Sequence, residues 1–85
     1  MKNTTMLEVA IEKVNSNPLY SFTFAELFDA VEKELKDNWY FRFVKGEPNL
    51  PYEKVRETKM GELYRLLTVD KRFHRNIDGS WRAAN

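Results

Sequence analysis

The stretch RFHRNIDGSWR, Arg72–Arg82, decides how this chain is read. Two short arms carrying Phe73 and Trp81 flank an Asp78-Gly79 pair. Asp-Gly is a strong two-residue hairpin signal, because both central positions of a type I′ turn take positive φ. Pairing outward puts Ile77 opposite Ser80 and Asn76 opposite Trp81, although the sequence leaves slightly different registers open. The hairpin is either a wing that touches DNA or a strand pair whose tryptophan belongs to the core. We expect a mixed answer. Phe73 and Trp81 should be buried against helices one and three, while Arg72, Arg75 and Arg82 face solvent. Alternation gives His74 the face opposite Phe73.

Upstream, two capping boxes mark two helix starts. Thr5 with Glu8 opens a helix over residues 5–15, whose Leu7, Ala10, Ile11 and Val14 form an apolar stripe. Asn15-Ser16-Asn17-Pro18 stops it. Thr23 with Glu26 opens the second helix, and Phe22 with Leu27 stands at the positions of a hydrophobic staple. Phe24, Leu27, Phe28, Val31 and Leu35 line one face, with Glu32, Lys33, Glu34 and Lys36 on the other. The extended Leu19-Tyr20-Ser21-Phe22 can add a very short strand before the cap.

The segment Asn38–Pro51, NWYFRFVKGEPNLP, begins aromatic and is then broken by Gly46, Pro48 and Pro51. Residues 39–44 read as a strand, with Trp39, Phe41 and Phe43 on one side and Tyr40, Arg42 and Val44 on the other. Both sides are largely apolar, which suits burial or a surface that meets a partner. A third helix is expected from Pro51 or Tyr52 to Thr68, burying Val55, Met60, Leu63, Tyr64 and Leu67. Gly61 is out of place in a helix interior, where it costs about 1 kcal/mol relative to alanine. Close approach by a neighbouring helix is the expected reason.

Composition narrows the function. With 85 residues, 42% hydrophobic and 14% aromatic, the chain can pack one small core. There is no cysteine, which excludes disulfides and thiolate metal sites and suits a reducing cytoplasm. The N-terminal residues lack the apolar run of a signal peptide, and no stretch approaches the roughly 20 apolar residues of a membrane span. A cytoplasmic monomer is expected. Residues 1–38 hold four Lys against seven Asp or Glu, net −3; residues 39–85 hold ten Lys or Arg against six, net +4. The asymmetry is a weak argument for an acidic partner facing the C-terminal half.

No catalytic constellation can be assembled. His74 is the lone histidine, so no zinc site or Cys–His pair has its parts. Ser16, Ser21 and Ser80 lack the context of a nucleophile elbow, the glycines form no phosphate loop, and Asp29 with Glu32 reads as solvated charge. We expect no cofactor, metal or catalytic residue. Binding remains. Lys54, Arg56, Lys59, Arg65, Lys71, Arg72, Arg75 and Arg82 all lie in the third helix and the hairpin, the two parts with which a winged helix contacts DNA. Glu53, Glu57 and Glu62 interrupt the same helix, and no pair of Arg, Asn or Gln one turn apart is set for base readout.

The order helix, short strand, helix, helix, hairpin predicts an α+β, mostly helical fold over residues 1–85: a winged helix-turn-helix with three main helices and a C-terminal β-hairpin. The segment Lys59–Arg82, KMGELYRLLTVDKRFHRNIDGSWR, resembles the N-terminal domain of the delta subunit of bacterial RNA polymerase. The features that carry the likeness are Leu63-Tyr64, Leu67-Thr68-Val69-Asp70, Arg72-Phe73 and Gly79-Ser80-Trp81. TMLEVAIEKV and SFTFAELFDAVEKEL are similar to that family's first two helices, so the likeness covers nearly the whole chain. It implies a HARE-type winged helix-turn-helix that docks on the polymerase core without catalysis and modulates initiation specificity and recycling. The family's acidic tail does not lie within residues 1–85, and the 38–51 segment is longer and more aromatic than its pattern. Lys54, Lys59, Lys71, Arg72, Arg75 and Arg82 are the candidate contacts, to polymerase or to DNA. Leu7, Ile11, Phe24, Leu27, Phe28, Val31, Leu63, Leu67, Phe73 and Trp81 are the candidate core.

Overall fold

The computed structural model describes residues 5–45 and 51–84. Its elements are α1 (Met6–Ser16), α2 (Phe24–Trp39) continued by a π-helical segment (Tyr40–Lys45), α3 (Tyr52–Val69), β1 (Phe73–Arg75) and β2 (Trp81–Ala83). The expected turn residues Gly46 and Pro48 and the chain end at Asn85 lie outside the described residues.

Both capping boxes form. In α1 the Glu8 amide donates to Thr5 Oγ1 at 3.1 Å, and the Thr5 amide donates to Glu8 Oε1 at 3.0 Å. In α2 the same exchange joins Thr23 and Glu26 at 3.1 and 2.8 Å. Each box satisfies amides that a helix start otherwise leaves unpaired. The Glu26 carboxyl is held below its ordinary pKa, chiefly by the Thr23 amide.

The core joins all the elements. Val9, Ala10 and Val14 come from α1, and Leu27, Phe28, Val31, Leu35 and Trp39 from α2. Val55, Leu63 and Leu67 come from α3, and Phe22, Phe73, Trp81 and Ala83 from the sheet region. Three expected core residues, Leu7, Ile11 and Phe24, are only half-buried at its margin. In α1 the stripe is rotated toward Val9, so Leu7 and Ile11 lie on its flank. Tyr64, expected on the buried face of α3, is exposed along one edge and packs edge-on against Phe24 and Trp81.

The aromatic segment is no strand. Trp39 is the last residue of α2, and 40–45 form π-helical turns. Leu35, Trp39 and Phe43 recur every four residues and extend the buried stripe of α2, so helical spacing outcompetes alternation. Phe41, grouped with Trp39 under alternation, is 68% exposed.

The hairpin pairs Phe73 with Ala83, His74 with Arg82 and Arg75 with Trp81. Trp81 therefore faces Arg75 rather than Asn76, one of the registers that the sequence left open. The turn holds three residues instead of two. The Asn76 amide donates to the Ser80 carbonyl, and the Gly79 amide donates back to the Asn76 carbonyl. Gly79 alone takes positive φ (91°). Asp78 stays out of the left-handed region because its carboxylate accepts from the Ser80 amide at 2.9 Å and the Ser80 hydroxyl at 2.6 Å. These hydrogen bonds also hold its carboxyl below the ordinary pKa.

The short segment before α2 contributes one bridge. Phe22 and Trp81 exchange reciprocal backbone hydrogen bonds of 2.7 Å, which lock the second strand to the start of α2. Among the described residues Gly61 has no close neighbour: a methyl built there meets none of their heavy atoms within 4 Å, so neither α1 nor α2 makes the expected close approach.

Candidate binding surface

The six candidate cations do not form one patch. Lys54 and Lys59 lie on α3, beside a groove of about 430 Å³ that Phe43 and Val55 also line. Glu57 and Glu62 line the same groove, so its charges are matched. Lys59 Nζ is 3.3 Å from Glu62 Oε1 and lies over the Phe43 and Trp39 rings at 4.9 and 6.0 Å. It is an aromatic-backed cation that braces α3 against the π-helical segment.

Arg72 is bound by its neighbour. Its Nε and Nη2 donate to the two Asp70 carboxylate oxygens at 3.0 and 2.9 Å, and its amide donates to Oδ1 at 2.9 Å. This fork holds the Asp70 carboxyl down to about 2.

Arg75 caps an aromatic group. Its guanidinium lies 5.5 Å from the Trp81 centroid and 5.9 Å from that of Tyr64. Arg82, expected to face solvent, is half-buried, and its Nη1 donates to the Ala83 carbonyl at 3.4 Å. Lys71 is exposed. Trp81 is 2% exposed and Phe73 is buried, so the hairpin is anchored by its aromatics. His74 is exposed on the opposite face from Phe73 and pairs across the strands with Arg82. Arg82 puts one cation on that outer face.

One polar cluster has no signature in the sequence. Glu32 accepts from the Tyr52 hydroxyl at 2.6 Å and from Arg56 Nε at 2.9 Å, clamping α2 to α3. Desolvation raises the Glu32 pKa, but these two donors outweigh it, so the carboxyl is lowered overall. Tyr52 is pushed up by burial and by its bond to Glu32. Arg56 also lies 5.1 Å from the Phe28 centroid. Glu32 had the look of solvated charge, and twenty or more residues separate it from both partners.

Among the described residues no group of three His, Asp or Glu side chains could hold a metal ion, and no helix is long and apolar enough to cross a membrane. No family model, curated protein or solved structure matches the chain.

Proposed function

We propose that this chain is a winged helix-turn-helix docking domain of delta type, a non-catalytic accessory of DNA-directed RNA polymerase in the cytoplasm. It contacts the core enzyme and modulates initiation specificity and recycling. The Phe22–Trp81 bridge supports the winged reading, because it adds a third, one-residue strand beside the hairpin in the required chain order. The likeness to the delta family supports the partner. Its marker residues have structural work here: Leu63, Leu67, Phe73 and Trp81 are core, and Asp70 clasps Arg72.

The observation that carries docking over DNA binding is the internal use of the cations. Arg56, Lys59 and Arg72 are each paired with a carboxylate of this chain. A phosphate-tracking surface keeps such side chains for the ligand. Pull-down with purified core polymerase tests the reading, and no association at low micromolar concentration overturns it. A gel-shift titration on free duplex at about 50 and 200 mM salt separates the rival. Tight binding that falls steeply with salt would assign Lys54, Lys59, Lys71, Arg72, Arg75 and Arg82 to phosphates instead.

A further inference from the structure

The hairpin tip combines a rigid turn with a wholly exposed aliphatic side chain. Ile77 is fully exposed, and it is the first residue of the three-residue loop. Ordinary turns of this kind are filled by polar residues and glycine. Flexibility does not account for the exposure, since the loop is cross-braced. Asn76 Nδ2 donates to Ser80 Oγ at 2.9 Å and to Ser21 Oγ at 2.8 Å, the second bond tying the turn to the segment before α2. Asp78 accepts from both Ser80 donors. The same Ser21–Asn76 contact brings the segment that bears Leu19, itself 94% exposed, against the turn that bears Ile77.

Around the tip Arg75 and Arg82 outnumber the one adjoining carboxylate, Asp78. His74, Arg75 and Asp78 line the same shallow depression as Ile77, and Arg82 stands across from His74 on the outer face. Neither Arg75 nor Arg82 has an ion pair among the described residues. The two carboxylates of the hairpin region are already used, Asp70 by Arg72 and Asp78 by Ser80.

From this we infer that the hairpin tip is a preorganised plug, in which Ile77 seats in an apolar recess of an acidic protein surface whose carboxylates meet Arg75 and Arg82. The inference rests on the polymerase reading and places that surface on the core enzyme. Preorganisation lowers the ordering cost of docking, which is the gain a braced loop offers over a mobile one. An apolar wedge can also enter a nucleic-acid groove. Here, however, the Asp78 carboxylate adjoins Ile77 and is held ionised by Ser80. Phosphates line both walls of a groove without a break and would crowd it, whereas a protein surface can place its carboxylates at Arg75 and Arg82 and leave the recess around Ile77 and Asp78 free of them.

The test is equilibrium binding of the full chain to purified core polymerase, for wild type, Ile77→Ser and the Arg75→Glu/Arg82→Glu double variant. A parallel titration on a DNA duplex is run with each. Ile77→Ser removes no internal contact, so its melting temperature should match wild type. Its affinity for polymerase should fall at least about tenfold, as expected for losing a buried aliphatic anchor. The double variant should lose affinity further, with slower association. If wild type binds and Ile77→Ser binds equally well, the plug is refuted while polymerase docking stands. If wild type fails to bind polymerase, both fall. Tighter binding to duplex than to polymerase, lost on Ile77→Ser, would overturn the choice of protein and make the tip a groove wedge.

Discussion

Replacing Gly61 by alanine should stabilise the domain, by an amount that follows from its surroundings. Gly61 lies in the interior of the eighteen-residue α3, on an exposed face. A new Cβ meets no heavy atom of the described residues within 4 Å, so overpacking by them adds no penalty. The exposed methyl also gains no burial. What remains is backbone freedom, for which alanine is favoured by about 1 kcal/mol in a helix interior, chiefly through a less disordered unfolded chain. For a domain of this size that corresponds to a rise of about 4–8 °C in Tm. Thermal melts by circular dichroism and urea titrations with an unchanged m-value would measure it. A lower or unchanged Tm would mean that something packs on Gly61 and would refute the reasoning. Under the proposed docking, polymerase affinity should be unchanged. A variant that melts higher but binds worse would show that a partner's approach, not the fold, requires the glycine.

Trp81→Ala should cost roughly 3–5 kcal/mol in urea titration, much of the stability of so small a domain. Trp81→Phe should cost less than half as much, because it deletes a buried Nε1 that has no hydrogen-bond partner among the described residues. The Asp70 carboxyl should titrate near pH 2 by NMR, returning toward the ordinary aspartate value of about 3.9 in Arg72→Ala. The depressed pKa means that its stabilisation is complete above about pH 3.9 and is lost as pH falls through 2, so Arg72→Ala should flatten that acid limb. Tyr52→Phe removes a donor from Glu32 and should destabilise by about 1 kcal/mol while raising the Glu32 midpoint.

Local rules were legible where one residue type can do one thing. Thr5-x-x-Glu8 and Thr23-x-x-Glu26 formed their reciprocal bonds because the donors and acceptors are three residues apart, independent of tertiary context. Phe73 and Trp81 were legible as core because two large aromatics in short arms have nowhere else to bury. Residues 39–44 are ambiguous in the sequence because four aromatics in five positions satisfy both periods at once. The continuing stripe from Leu35 broke the tie. The turn was misjudged because Asp78 could either enter the left-handed region or cap Ser80, and the side-chain bond won. The Glu32–Tyr52–Arg56 clamp depends on how α2 and α3 pack, which no spacing in the chain encodes.

The positive half of the chain therefore presents a smaller field than its composition suggests. Helix α3 carries Lys54, Arg56, Lys59 and Arg65 against Glu53, Glu57 and Glu62, and Glu32 of α2 cancels the remaining charge through Arg56. Asp70–Arg82 carries four cations against two carboxylates, and one of its arginines is spent within the segment. A surface that neutralised only two phosphates would lose duplex affinity with a salt slope of about −1.8, against about −5 or steeper for six or more contacts. So shallow a dependence gives DNA little electrostatic hold. Ile77 at the tip is fully exposed and Arg75 and Arg82 near it have no ion pair among the described residues, and that combination favours an acidic protein surface with a recess over a uniform polyanion.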